Sequence, residues 1–125
     1  MLAYKYDNNM YEYMPDKYKT IEMSIKYLQQ TDSSPFNVPN EHLKNIDLIN
    51  KVIPYNGMFL RCVPYKLKTV KMCMDALKNT GNALSSVPLN MLDYDMCYVA
   101  VENSVEAYNY VPDMYRTVEL KELYV

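Results

Sequence analysis

The chain has 125 residues, half of them apolar and 22% charged, with a net charge of −2 and a pI near 5.3. That is one domain's worth of chain (residues 1–125), apolar enough to fold rather than stay disordered. An acidic balance counts against a nucleic-acid backbone as main partner, since such binding rests on a positive stripe. No apolar run nears the ~18 residues needed to cross a bilayer. The opening Met1-Leu2-Ala3-Tyr4-Lys5-Tyr6-Asp7 lacks the apolar core of a signal peptide, so a cytoplasmic location is expected, the host's if the gene is viral.

In chain order, the first strong signal is Met14-Pro15. The step returns as Val38-Pro39, Val63-Pro64, Val87-Pro88 and Val111-Pro112, with prolines 24, 25, 24 and 24 residues apart. A fixed period of this size marks a repeat array. Thr20, Asn45, Thr69, Asp93 and Thr117 share one slot, just before each apolar-periodic stretch. Their side-chain oxygens can accept from the free N–H groups of a helix's first turn. The first such helix carries Ile21, Met23, Ser24, Tyr27 and Leu28. The second unit has one extra residue between Pro39 and Leu43, returns to phase at Leu43, and is stopped by Pro54, which cannot continue the backbone ladder.

In the third unit Val70, Cys73, Ala76 and Leu77 fall at i, i+3, i+6 and i+7, one stripe of an amphipathic helix rather than the alternation of a strand. Lys71, Asp75 and Lys78 lie off the stripe, and Gly81 is placed to close the helix in the left-handed geometry glycine tolerates. The fourth unit repeats the stripe with Cys97, Ala100 and Val101. Ala76 and Ala100 are small where neighbouring helices should approach closely. Between these helices run shorter pieces, Asn82 to Ser86 and Glu106 to Tyr110. Each must end at the valine, because the residue before proline is driven out of the helical region. The proline then opens a further turn. Helices this short are marginal alone and need packing on their neighbours. The expected fold is therefore all-α, an α-solenoid of about four to five short helical-hairpin repeats. A leucine-rich repeat is excluded by the proline in every copy and by the lack of an L-x-x-L-x-L run.

The residues offer little chemistry. Cys73 and Cys97 occupy the same slot in successive repeats, on the stripe, where free Cys acts as a small hydrophobe. No C-x-x-C with histidine partners exists to hold a metal, and His42 is the only histidine. A Cys62–His42 nucleophilic pair can be drawn, but nothing in the sequence brings the two together. Asp16, Asp75, Asp95, Glu102, Asp113, Glu119 and Glu122 fall mostly on water-facing helix positions, and there is no glycine-rich phosphate loop. No catalytic, cofactor-binding or metal site is expected.

Tyrosine, at 14 residues, is the outlier. Tyr18, Tyr27, Tyr94, Tyr108, Tyr115 and Tyr124 take slots that other repeats fill with aliphatic residues, so they read as packing. Tyr13 and Tyr110 precede the corner where other copies have Asn37, Cys62 and Ser86; Tyr65 follows it, and Tyr98 occupies a mixed helix slot. Tyrosine is enriched at binding surfaces, which makes Tyr13, Tyr65, Tyr98 and Tyr110 candidate protein-binding residues.

The segments from Leu67 to Asn79 and from Ala83 to Pro88 resemble a family of Val-Pro-containing helical repeats of about 24 residues, found in giant-virus, phage and bacterial effector-like proteins and known as a domain of unknown function. The likeness spans nearly the whole chain and is strongest from Val63 to Val111; it departs in the second repeat, at Pro54 and near His42. It implies a helical array and no established activity, so no catalytic residue carries over. The lysine-rich, tyrosine-rich composition fits an AT-rich genome. The expected function is a non-enzymatic protein–protein interaction module, viral or phage-encoded, that engages a host or virion protein. The alternatives are an inhibitor of a host defence enzyme and a nucleic-acid-binding array using Lys66 and Lys68. A membrane is not an expected partner. The fifth copy stops mid-repeat, so self-association through the repeat ends is also open.

Overall fold

A computed structural model describes residues 8–30 and 33–124, so the opening heptapeptide read above for a signal lies outside them. Its α-helices are α1 (Asn8–Tyr13), α2 (Ile21–Leu28), α3 (Asn40–Leu43), α4 (Ile46–Val52), α5 (Val70–Asn79), α6 (Tyr94–Asn103) and α7 (Val118–Tyr124). Between them lie 3-10 segments, of which Gly57–Cys62, Gly81–Ser86 and Val105–Tyr110 are the six-residue ones. The described residues contain no strand, and the fold is all-α.

All five capping slots act as their residue types dictate. The side chains of Thr20, Asn45, Thr69, Asp93 and Thr117 accept from the N–H groups of Met23, Leu48, Met72, Met96 and Leu120 at 3.1, 3.0, 3.1, 2.9 and 3.2 Å. Each satisfies one of the donors that a helix start leaves unpaired. The valines before proline are extended, with ψ between 126° and 134° at Val38, Val63, Val87 and Val111. The prolines stand one place earlier than expected, as caps of the following turn rather than in it. Their free carbonyls close that turn, accepting from Tyr18, His42, Leu67, Met91 and Tyr115 at 2.9–3.0 Å.

Packing follows the period. α5 lies against α6 and α6 against α7, while Gly57–Cys62, Gly81–Ser86 and Val105–Tyr110 pack on one another in order. The core between the two rows is built from recurring slots: Cys73, Ala76 and Leu77 of α5 and Cys97, Ala100 and Val101 of α6 are all fully buried. Asparagines fasten one repeat to the one before. Asn79 Nδ2 donates to the Pro54 carbonyl at 3.2 Å, and Asn103 Nδ2 to the Leu77 and Lys78 carbonyls at 2.8 and 3.0 Å. These acceptors sit at or just beyond a helix end, where the last carbonyls lack intrahelical partners.

Three more positions differ from expectation. Val70 is 54% exposed. It is the first residue of α5, and the buried stripe begins two residues on, at Met72. Tyr18 is also exposed, because its turn lies on the corner rather than under it. Gly81 does not close α5 in left-handed geometry, since neither it nor Gly57 has positive φ. Glycine is required there by contact instead. A Cβ on Gly57 would stand 2.5 Å from the Ala76 carbonyl oxygen, and one on Gly81 would stand 2.1 Å from that of Ala100.

This reading fixes the sign of a substitution. With an ordinary backbone and free space, Gly81→Ala would stabilise by ~0.4–1 kcal/mol through the unfolded chain. The clash with a backbone carbonyl reverses that, and we expect a loss of ~1–3 kcal/mol, as overpacking costs. Chemical denaturation of the variant measures it.

Candidate protein-interaction site

Several polar side chains with chemical potential are engaged inside the fold. His42, which might have met Cys62, instead places Nδ1 2.7 Å from Ser24 Oγ, and Ser24 Oγ lies 2.6 Å from the Tyr11 hydroxyl. A serine beside a histidine has the form of an activated nucleophile. Ser24, however, has no exposed surface and stands between its two partners, where no substrate can reach it. The neighbouring Tyr27 ring stacks on Tyr11 at 4.3 Å, and its hydroxyl donates to Glu12 and accepts from Asn37 and the Ser34 N–H, each at 3.0 Å. Such a network positions the first two repeats against each other. Its one signal in the sequence is Ser24 itself, a hydroxyl in the slot that holds Ile49, Cys73 and Cys97.

Four of the lysines have partners as well. Lys68 donates to the Ser86 carbonyl at 2.7 Å, and Lys19, in the same slot of the first repeat, donates to the Asn37 carbonyl. Both cap the 3-10 turn that follows their helix. Lys19 is buried to 3% side-chain exposure, 3.2 Å from Asp16 and over the Tyr11 ring. Lys71 pairs with Asp75 and Lys51 with Asp47. Cys62, Cys73 and Cys97 are free thiols. Burial raises all three above the ordinary value, Cys97 to about 11. Among the described residues no three His, Cys, Asp or Glu side chains gather as a metal cage would need.

Several large apolar side chains stand exposed at the Val-Pro corners. Tyr13, Tyr65 and Tyr110 are 86%, 61% and 50% exposed. Tyr98 differs from these three: it is half-buried on α6, packed against the core, with its ring 6.2 Å from that of Tyr94. Residues that the sequence reading passed over complete the row, with Phe36, Leu89 and Met114 at 98%, 80% and 77% exposure. Tyr65 shows how successive corners meet, since its hydroxyl donates to Asn90 Oδ1 of the next corner at 3.0 Å. One period later the same two slots hold Leu89 and Met114. The polar bridge is replaced by two water-exposed apolar side chains, and beside them opens a cleft of about 440 Å³ lined by Leu89, Leu92, Pro112, Asp113, Met114 and Tyr115. Comparing a residue with its counterparts one period away would have flagged this substitution.

Compared with models of known protein families, with curated proteins and with solved structures, the chain matches none. Among the described residues no helix is long and apolar enough to cross a membrane.

The buried thiols set an alkaline limit. Cys97 holds its proton to about pH 11 when folded but only to about 9 when unfolded. Unfolding above pH 9 therefore releases protons, and stability should fall with rising pH between the two values, with no such trend just below 9. Denaturation midpoints at pH 8, 9 and 10.5, repeated with Cys97→Ala, will show whether the slope shrinks with the thiol removed.

Proposed function

We propose that this chain is a non-enzymatic interaction module, an α-solenoid of about four to five repeats whose Val-Pro corners line up as a protein-binding edge. The observation that carries it is the pair Leu89–Met114. Large apolar side chains stand in water above an apolar cleft, in slots where the previous corner closes itself with a Tyr65–Asn90 bridge. Exposed apolar surface of this kind marks interaction sites. Tyr13, Tyr65 and Tyr110 add rigid aromatic area along the corners, the residue type that anchors interfaces.

Polar satisfaction elsewhere supports the same reading. Ser24, His42 and Lys19 are each held by neighbours inside the fold. A nucleic-acid array fits less well. Lys68 is bound to Ser86, and the slot that holds Lys71 holds Asp95 and Glu119 in the next two repeats, so basic charge does not run on as a stripe.

The test is a titration of a partner captured by affinity purification and identified by mass spectrometry. Tyr65→Ala and Tyr110→Ala should each weaken binding by ~1–2 kcal/mol with little change in stability. A steep loss of affinity with salt, with Lys66→Ala the more damaging variant, would support nucleic acid instead.

A further inference from the structure

Three slots of the repeat turn apolar at one place. The slot just before each capping residue is basic in four copies, as Lys19, Lys44, Lys68 and Arg116, and holds Leu92 in the fourth. The slot after the corner proline holds Asp16, Asn40, Tyr65 and Asp113 elsewhere, but Leu89 in the fourth copy. The next slot holds Lys17, Lys66 and Asn90 before it holds Met114. Leu89, Leu92 and Met114 all line the cleft between the fourth and fifth corners. Packing of the chain on itself does not account for the change, since Leu89 and Met114 stand largely in water.

The change at Leu92 removes a hydrogen bond as well as a charge. Lys19 donates to the Asn37 carbonyl and Lys68 to the Ser86 carbonyl, each reaching 18 residues along the chain. The residue at that separation from Leu92 is Tyr110, and leucine has no side-chain donor to offer its carbonyl. Tyr110 directly precedes the Val111-Pro112 step, and Pro112 lines the cleft. Asp113 lines it too, with its side chain 100% exposed. Arg116 approaches that carboxylate only to 3.9 Å, while its guanidinium donates to the Val111 and Tyr108 carbonyls and lies over the Tyr108 ring. So exposed and distant a pair contributes little. Residues 91–125 carry two basic against seven acidic side chains, so a cation nearing this end of the chain meets a negative field.

Resting on the corner edge as the binding surface, we propose that this cleft takes a segment of a partner protein in which a large aliphatic side chain stands close to a lysine. The aliphatic group covers Leu89, Leu92 and Met114. The ammonium, with three donors, serves both the Tyr110 carbonyl and the Asp113 carboxylate. The partner thus supplies in trans the lysine that the first and third repeats supply for themselves. An acidic segment brings no such donor and meets like charge at Asp113.

The probes are three capped synthetic peptides that differ only at their centre, Lys-Leu-Lys, Glu-Leu-Glu and Lys-Ala-Lys. Each is titrated into the full chain while the methyl resonances of Leu92 and Met114 are followed. Lys-Leu-Lys should shift both saturably, and the other two should bind about ten-fold more weakly. Leu92→Lys gives the fourth repeat the lysine of its neighbours; it should keep helical circular dichroism and, read at Met114, weaken Lys-Leu-Lys about ten-fold. Asp113→Asn, at a fully exposed position, should narrow the gap between the lysine and glutamate peptides. Equal binding of those two peptides, a folded Leu92→Lys that binds as tightly as the parent, or Lys-Ala-Lys binding as well as Lys-Leu-Lys would overturn the assignment. So would the lack of any shift with Lys-Leu-Lys. If Tyr65→Ala and Tyr110→Ala still weaken a captured partner in that case, the interaction module stands and only the chemistry of its occupant is wrong.

Discussion

Two glycine backbones seated on helix carbonyls set the spacing of the molecule. Gly57 and Gly81 begin six-residue 3-10 segments whose first residue is pressed against the end of the next repeat's helix, at Ala76 and Ala100. A side chain cannot fit between segment and helix, so the two rows of elements close to backbone contact. The alanines belong to the same constraint, since a larger residue would lift the helix off its neighbour. Asn79 completes the junction: it accepts the Gly57 N–H at 2.7 Å through Oδ1 and donates to Pro54 through Nδ2. One amide thus satisfies a donor and an acceptor that the close approach would otherwise leave unpaired. At the corresponding place one repeat later stands Val105, 47% exposed, where no further glycine contact is made.

From this spacing the corners follow. Residues about one period apart meet at particular places. Tyr65 reaches Asn90, and Tyr94 places its hydroxyl 3.2 Å from the Thr117 hydroxyl. A surface made of aligned slots changes character when one slot changes residue type. Replacing Tyr65 and Asn90 by Leu89 and Met114 turns a closed corner into an open one. On the proposed reading function resides in departures from the repeat, whereas the repeated slots serve packing.

That division also explains what could be read from the sequence. The period, the five capping slots and the extended valines are local signals, each fixed by a residue and its immediate neighbours, and all were legible. The buried thiols and alanines followed from helical spacing. The misread residues depend on which repeat stacks on which. Val70 fits the helical period yet lies at the exposed start of α5, where no neighbour covers it. Gly81 looks like a helix terminator, although its reason lies 19 residues away at Ala100. The Tyr11–Ser24–His42 chain spans three elements that share no local pattern, so sequence logic could only offer His42 a cysteine. Of the candidate tyrosines, those at corners proved exposed, and Tyr98, on a helix face, proved half-buried.

The stacking register is best tested by nuclear Overhauser contacts in solution. The Gly81 α protons face Ser104, whose Cβ would lie 2.9 Å from a Cβ built on that glycine. A strong contact between the Gly81 α protons and the Ser104 β protons is therefore predicted, with a corresponding one between Gly57 and Thr80. Gly81 α protons that show contacts only within their own repeat, in a chain still helical, would contradict the register on which both the corner edge and its cleft depend.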